Sequence, residues 1–530
     1  MWNDYQWFVI VGGIFSFGMS WGIGANDVAN SFATSIGAKT LTLFQACCIA
    51  ACLEFLGSIT LGGEVSKTIA SSIAKIDVYQ NDPEVFAYGM LCSLLSAAVW
   101  VFIASYKGLA VSTTHSIIGS VIGFTLVWKG SDAVIWVQTT NEFPFVKGII
   151  PIIISWFTSP ILSCIISSLI FAGNRYFILR NKKSSKIAYY ALPPLVLITV
   201  FINLFFILYK GAKAELGWDA NKAAWVSAII SICCSLISGI IGIPLIKWRM
   251  KRNRQPILGI EVKETDKNAQ NVLLQLVNID DKNNIIPSIL LSGVSQNAIE
   301  IKNKDNNIEI FTEETENIYK YLQVFSSCCV AFAHGANDVA NAIGPYAAIW
   351  YVYENSSINN TVTTPKWMLA LGGIGIVVGL WTYGYKVIQS LGGELCALTP
   401  SRGYSAELAT ALTVSFASVY GIPISTTHCI VGAELGIGML ENIKTGVNWR
   451  LFTKTFSAWI FTLIITGLFS AILFSQGIYS PSKQMINDIS YYETHIISLI
   501  LQKNKSISFN NTPYIQPSVL ITYLNNTINT

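Results

Sequence analysis

Charge is the scarcest thing in this chain. Asp, Glu, Lys and Arg make up only 12% of its 530 residues, while hydrophobic residues make up 52%; a soluble domain carries about 25% charged residues. Mean hydropathy is +0.50. A soluble chain of this length would divide into domains with polar surfaces and linkers, and there is too little charge to cover them. The net charge of +4 is too small, and too concentrated beside apolar runs, for a nucleic-acid footprint, so no nucleic acid is expected as a partner. Histidine is rarer still, at 4 residues. The 11 cysteines sit almost entirely inside apolar runs, and no pair has metal-site spacing or argues for a disulfide framework. With neither a nucleophile–base pair nor a catalytic metal cluster in view, the composition points away from an enzyme, and no cofactor is expected.

What is present is a series of apolar runs, each near the ~20 residues that cross a bilayer. About twelve can be drawn, at 7–23, 41–62, 85–106, 112–128, 147–173, 188–209, 222–246, 322–350, 367–390, 407–421, 425–440 and 452–475. This is the pattern of an all-α integral membrane protein whose solvent is the lipid bilayer. The runs at 112–128, 407–421 and 425–440 are short for a full crossing and read as half-helices or hairpin arms. The first run, Trp7–Trp21, lacks the basic flank of a signal peptide and reads as a retained helix. Orientation follows from Lys and Arg in short loops. Arg175, Arg180, Lys182, Lys183 and Lys186 form one basic group; Lys247, Arg249, Lys251, Arg252 and Arg254 form another. Both fall on one side, which is then cytoplasmic, and both termini are extracellular. Sequons at Asn355, Asn359, Asn510 and Asn525 all land outside in this arrangement.

Hydropathy breaks across 255–320, a stretch rich in Asn, Lys, Asp and Glu and too polar to span. The expected organisation is a membrane half at 1–250, a cytoplasmic, disordered linker at 251–320, a second membrane half at 321–477 and a polar extracellular tail at 478–530.

The two halves repeat one another. Gly24-Ala-Asn-Asp-Val-Ala-Asn30 recurs as Gly335-Ala-Asn-Asp-Val-Ala-Asn341, and Val111-Ser-Thr-Thr-His115 is matched by Ile424-Ser-Thr-Thr-His428. The span count puts the first copy after a run going inward and the second inside a run going outward, so the expected architecture is two inverted repeats. Inverted repeats with broken or re-entrant helices at a midplane site are the mark of secondary transporters. No Gly-x-x-x-x-Gly-Lys-Ser/Thr loop is present, so such transport would run on ion gradients rather than on a nucleotide.

Polar residues inside apolar runs are costly and demand a use. Each Gly-Ala-Asn-Asp-Val-Ala-Asn copy offers a carboxylate and two amides, beside small residues that allow close backbone approach or a helix break. Asp27 and Asn30, with carbonyls freed at such a break, suit a small hard cation. Ser112 and Ser425 are placed as helix N-caps. The free N–H groups beyond them, with the hydroxyls of Thr113, Thr114, Thr426 and Thr427, form an anion cradle without lysine or arginine. Glu54 and Glu407 interrupt apolar helices and favour a cation site over a structural hydrogen bond. His115 and His428 follow both Ser-Thr-Thr elements and read more readily as structural donors than as ligands; His334 precedes the second Gly335 copy alone.

These motifs, with Ala333-His334-Gly-Ala-Asn-Asp, closely resemble the inorganic phosphate transporter family. Gly421-Ile-Pro-Ile-Ser-Thr-Thr-His-Cys429 and Val447-Asn-Trp-Arg-Leu-Phe452 are similar to its eukaryotic, sodium-dependent branch. The resemblance covers roughly 1–250 and 320–475, and implies sodium–phosphate symport across the plasma membrane through one central site. It implies that Asn26, Asp27, Asn337 and Asp338 lie at that site and that Ser112–Thr114 and Ser425–Thr427 hold phosphate. Asn26 and Asn337 go with the phosphate. Asp27, Asn30, Glu54, Asp338, Asn341 and Glu407 go with sodium, the two glutamates matching the family's intramembrane pair. A homodimer is compatible with the same resemblance. Ala110 stands where the family commonly has Pro, and Pro423 is kept in the second half, which implies a less rigid first loop. The mechanism expected is alternating access, with sodium neutralising Asp27 and Asp338 before phosphate enters. The rivals are proton coupling through Glu54 or Glu407, sulfate as substrate, and a phosphate sensor that does not transport.

Overall fold

The computed structural model describes residues 5–141, 145–209, 218–253, 309–359, 362–385, 387, 395–480, 491 and 495–496. The bulk of the expected linker and tail lies outside them. Contacts divide the chain into two compact units, Met1–Phe474 and Ser475–Thr530; the first holds both motif pairs and residues of both expected membrane halves.

The first unit is built from helices, and their ends follow local chemistry. The first half runs α1 (Gln6–Asn26), α2 (Val28–Gly37), α3 (Leu43–Ser71), α4 (Pro83–Tyr106), α5 (Thr113–Lys129), α6 (Ile149–Asn174) and α7 (Ser184–Ile207). Then come α8 (Ala220–Ile237) and α9 (Ile243–Asn253), joined by a π turn at Ser238–Gly242. The second half runs α10 (Glu313–Asn355), α11 (Lys366–Gly379), α12 (Pro400–Val419), α13 (Thr426–Glu441) and α14 (Trp449–Tyr479). A capping box between Thr42 and Gln45 starts α3, Asp219 caps α8, and Pro83 and Pro400 open α4 and α12, where a missing N–H costs nothing. A two-residue hairpin, β1 (Gln138–Thr139) with β2 (Val146–Lys147), precedes α6.

Among the described residues, eight helical segments are long and apolar enough to cross a membrane: Gln6–Gly37, Leu43–Ser71, Pro83–Tyr106, Ile149–Leu179, Ser184–Phe206, Ala220–Arg252, Lys366–Gly384 and Trp449–Tyr479. The other four expected spans are helical too, but fall short of that test. α5 and α13 are short, α12 is long enough but too polar, with Arg402, Glu407 and several hydroxyls, and α10 carries the polar motif in its middle. The linker boundary also moves. α10 begins at Glu313, inside the expected 251–320 linker, because Thr315, Ile318 and Tyr319 are buried. Ile318 and Tyr319 join a core shared with α7, α12 and α13.

Hydroxyls are placed in these apolar helices at little cost because they bond backward. Ser58, Ser66, Ser93, Ser116 and Thr125 each donate to the carbonyl four residues earlier. Two helix pairs bring the motifs together, α1 against α11 and α3 against α10. Both rest on a motif glycine. A Cβ on Gly24 would fall 1.8 Å from the Ile376 carbonyl oxygen, and one on Gly335 2.2 Å from that of Glu54. The glycines serve close approach.

Candidate anion and cation site

Both Ser-Thr-Thr elements start helices as expected. The loop before each turns on a glycine with φ of +64°, Gly108 and Gly421, a conformation that favours glycine. Ser112 Oγ then accepts from the His115 N–H at 3.2 Å, and Ser425 Oγ from the His428 N–H at 3.3 Å. Everything from Ser112 to Ser116 and from Ser425 to Cys429 is buried.

The aspartates meet these helix starts in matching fashion. Thr113 Oγ1 donates to Asp27 Oδ2 at 2.5 Å, and Thr426 Oγ1 to Asp338 Oδ2 at 2.7 Å. The second asparagine of each copy reaches across to the opposite half. Asn30 Nδ2 donates to Thr427 Oγ1 at 2.8 Å, and Asn341 Nδ2 lies 3.2 Å from Thr113 Oγ1 and from Thr114 Oγ1. The site is therefore built from both halves of the chain.

Two of its buried oxygens have no partner: Asp27 Oδ1 and Asn337 Oδ1. Both are acceptors. Asp27, His334 and Asp338 bring one ligand atom each to within 4.8 Å of one another, all buried. His334 Nδ1 lies 2.6 Å from Glu54 Oε2 and its Nε2 2.9 Å from Asp338 Oδ2, so the imidazole bridges two carboxylates. Unpaired acceptor oxygens beside carboxylates are the donor set of a hard cation.

Three expectations change. Asn26, expected at phosphate, spends its amide on the loop: Nδ2 donates to Ser105 Oγ and the Leu109 carbonyl, and Oδ1 accepts from the Val111 N–H. No donor is left for an anion, and the loop that Ala110 was expected to loosen is pinned on either side of it. Asn337 likewise gives its Nδ2 to Asp338 and the Ile424 carbonyl; its free atom suits a cation, not phosphate. Glu407, expected at sodium, accepts from Thr34, Ser35 and Gln323 on Oε1 and from Ser326 and Ser327 on Oε2, at 2.5–3.1 Å. Ser326 and Ser327 also reach the Gln323 carbonyl, and through these contacts Glu407 links α2 to α10. Glu54 is less filled, with His334 and a distant Ser31 at 3.5 Å.

The second Gly-Ala-Asn-Asp copy also departs from expectation. The helix breaks at Asp27 between α1 and α2, but it does not break at Asp338, which sits within α10. Pro345, one turn beyond Asn341, has no N–H to give the Asn341 carbonyl.

Four residues or groups escaped the sequence reading. Ser31, Thr34 and Ser35 on α2, with Gln323, Ser326 and Ser327 on α10, lie outside the motifs singled out in the sequence. Glu434 on α13 is buried, makes no hydrogen bond or ion pair among the described residues, and lines a cavity of about 30 Å³ with Asn30 and Thr427. A lone carboxylate in an apolar run was the signal there. Trp156 and Trp459 sit behind the cradle. His115 Nδ1 donates to the Trp459 carbonyl and its ring lies 3.9 Å from that of Trp156; His428 Nδ1 donates to the Trp156 carbonyl and its ring lies 3.8 Å from that of Trp459. Each histidine spends its Nδ1 on a tryptophan carbonyl, while its Nε2 is buried without a hydrogen-bond partner. At one end of the bundle Arg402, 1% exposed, is held by Glu441 and the Glu309 carbonyl, and Arg175 and Arg180 hold Glu309. The Arg180 hydrogen bond keeps the Glu309 carboxyl below the usual carboxylate range.

The profile of the phosphate transporter family matches residues 23–470. The chain is 29% identical to sodium-dependent phosphate transporter 1-A of Danio rerio, covering 89% of this chain and 95% of that one. It is 27% identical to the phosphate-repressible phosphate permease pho-4 of Neurospora crassa, covering 90% and 98%. A solved structure titled "The sodium-dependent phosphate transporter" superposes with a TM-score of 0.70 at 31% identity, over 88% of this chain and 98% of that one.

Proposed function

Because this chain belongs to the phosphate transporter family, we propose that it is a sodium-coupled symporter of inorganic phosphate; it is a transporter and not an enzyme. The observation that carries the reading is the pairing of two helix N-termini with two unpaired acceptor oxygens, Asp27 Oδ1 and Asn337 Oδ1, in one site made by both halves. The N–H groups at Thr113, Thr114, Thr426 and Thr427 would take phosphate oxygens together with the Thr427 hydroxyl, the other three hydroxyls being given to Asp27, the Ile424 carbonyl and Asp338, and Ser112 and Ser425 hold those helix starts. Asp27, Asp338 and Asn337, with Asn30 and Asn341 beside them, would take sodium. A dianion beside two aspartates is repelled, so sodium must enter first; the charge it neutralises is what lets phosphate stay.

Mirrored contacts support a pair of inverted repeats. Asp27 with Thr113 is answered by Asp338 with Thr426, Asn30 with Thr427 by Asn341 with Thr114, and His115 with Trp459 by His428 with Trp156. In this reading the halves rock about the shared site, opening it to each side in turn, and ligands shift that balance only through differential affinity. The four helices that fail the span test, α5, α10, α12 and α13, complete a twelve-span count, and three of them, α5, α10 and α13, carry site residues beside Asp27 and Asn30. The plasma membrane, extracellular termini and a homodimer belong to the same proposal. Proton coupling through Glu407 is disfavoured, since its carboxylate is already caged.

The test is uptake of radioactive phosphate into liposomes holding the purified chain, under an inward sodium gradient, an inward proton gradient, or neither. The proposal expects uptake with sodium and little with protons alone. Uptake driven by protons with no sodium present would overturn it.

A further inference from the structure

Between α7, α8, α9 and α10 lies a cavity of about 250 Å³ that the transport mechanism does not use. Its wall is almost wholly apolar, with Leu192, Val196, Ile237, Ile241, Leu245 and Phe325 among its residues. The π turn Ser238–Gly242 forms part of it. The helix carrying this turn, Ala220–Arg252, is the least buried of the eight candidate spans, and Ile229, Ile232, Ile240 and Leu245 stand exposed along it. Such a surface faces hydrocarbon, and a cavity of this size and polarity beside it would not hold ordered water, which needs polar partners.

The polar end of the same groove is cationic. Tyr189, near the start of α7, has its hydroxyl 3.3 Å from Met250 Sδ and its ring 4.9 Å from Lys247 Nζ. The start of α7 and the end of α9 therefore meet, and two basic groups share that end. Lys182, Lys183 and Lys186 come from one, and Lys247, Lys251 and Arg252 from the other. All six are exposed, and none is paired with a carboxylate among the described residues. The contrast with Arg175 and Arg180 in the same loop is direct, since those two are committed to Glu309. Unpaired cations around the mouth of an apolar slot between membrane helices match a lipid whose headgroup is negative.

We propose that this groove binds one anionic phospholipid, an acyl chain in the cavity and the headgroup phosphate among Lys186, Lys247 and Lys251. Gly242 offers a way to close the slot without strain. A Cβ there would meet nothing nearer than Ser238 Cβ at 3.8 Å, so Gly242→Phe can fill the cavity.

The experiment is native mass spectrometry of the purified full chain in detergent, titrated with dioleoyl phosphatidylinositol 4-phosphate, dioleoyl phosphatidylcholine, or inositol 1,4-bisphosphate as the headgroup without chains. The expected result is one phosphatidylinositol phosphate per chain, retained about tenfold better than phosphatidylcholine. Lys186→Gln with Lys247→Gln and Lys251→Gln should remove that preference, and Gly242→Phe should remove retention. The lysines are at the surface, so the triple variant should unfold at the parent's temperature in the absence of lipid. Equal retention of both phospholipids would overturn the proposal, as would inositol bisphosphate binding as well as the lipid. So would a second copy of the chain in place of lipid, or an unchanged profile in both variants.

Discussion

Gly24–Asn30 and Gly335–Asn341 are the same seven residues, yet one is interrupted at Asp27 and the other runs unbroken through a 43-residue helix. Their long-range partners agree: each glycine meets a backbone carbonyl, each aspartate a threonine of its own half, each second asparagine a threonine of the other. Their surroundings do not. Asp27 accepts one hydrogen bond and keeps an oxygen free, whereas Asp338 is approached by Thr426, Asn337, Asn341 and His334. Ile23 stands where the second half has His334. Duplication preserved the contacts that make the cradle and let the two carboxylates diverge. Asp27 keeps one oxygen without a partner, and Asp338 has more of the protein's own donors around it.

The strongest test of the shared site is Asp27→Asn beside Asp338→Asn. Each should lower sodium-driven phosphate uptake by about 100-fold, roughly 2.7 kcal/mol. A loss confined to one of them would mean that one half alone binds the ions. Next comes the pair of glutamates. Glu407→Gln places an amide among Thr34, Ser35, Gln323, Ser326 and Ser327 and should cost about 2 kcal/mol of stability, read as a lowered unfolding temperature. Glu54→Gln, with one close donor, should cost about 1 kcal/mol; equal losses would refute the link assigned to Glu407. His334→Ile gives the second half the residue of the first. It strips Glu54 of its partner and Asp338 of one neighbour, and should reduce uptake about tenfold at limiting sodium. The smallest effect is expected from Glu434→Val, which installs the counterpart of Val121. Uptake at saturating sodium should change by less than about threefold, and a total loss would move Glu434 into the site.

Much of this was legible in advance because it is local. Ser112 and Ser425 announce helix starts, and a doubled seven-residue motif announces a doubled site. The interruption at Asp27 was not legible, since the same seven residues run unbroken at Asp338 and Asp27 itself keeps near-helical backbone angles. Neither was the fate of Asn26, whose partners lie 79 to 85 residues away. The surroundings of Glu407 were hidden as well, since a carboxylate in an apolar run says nothing of its partners. Its cage is assembled from single serines and threonines on α2 and α10, which in isolation look like packing. The polar start of α10 hid its buried stripe of Thr315, Ile318 and Tyr319 among charges typical of a linker.

The central claim is that cation and anion occupy one site made by both halves, and linkage tests it most directly. Phosphate binding to the purified chain should be measured by calorimetry across a sodium series, and sodium binding across a phosphate series. The account predicts that each ligand raises the other's affinity by the same factor, and that Asp27→Asn abolishes the coupling. Phosphate binding that is equally tight with and without sodium would contradict it.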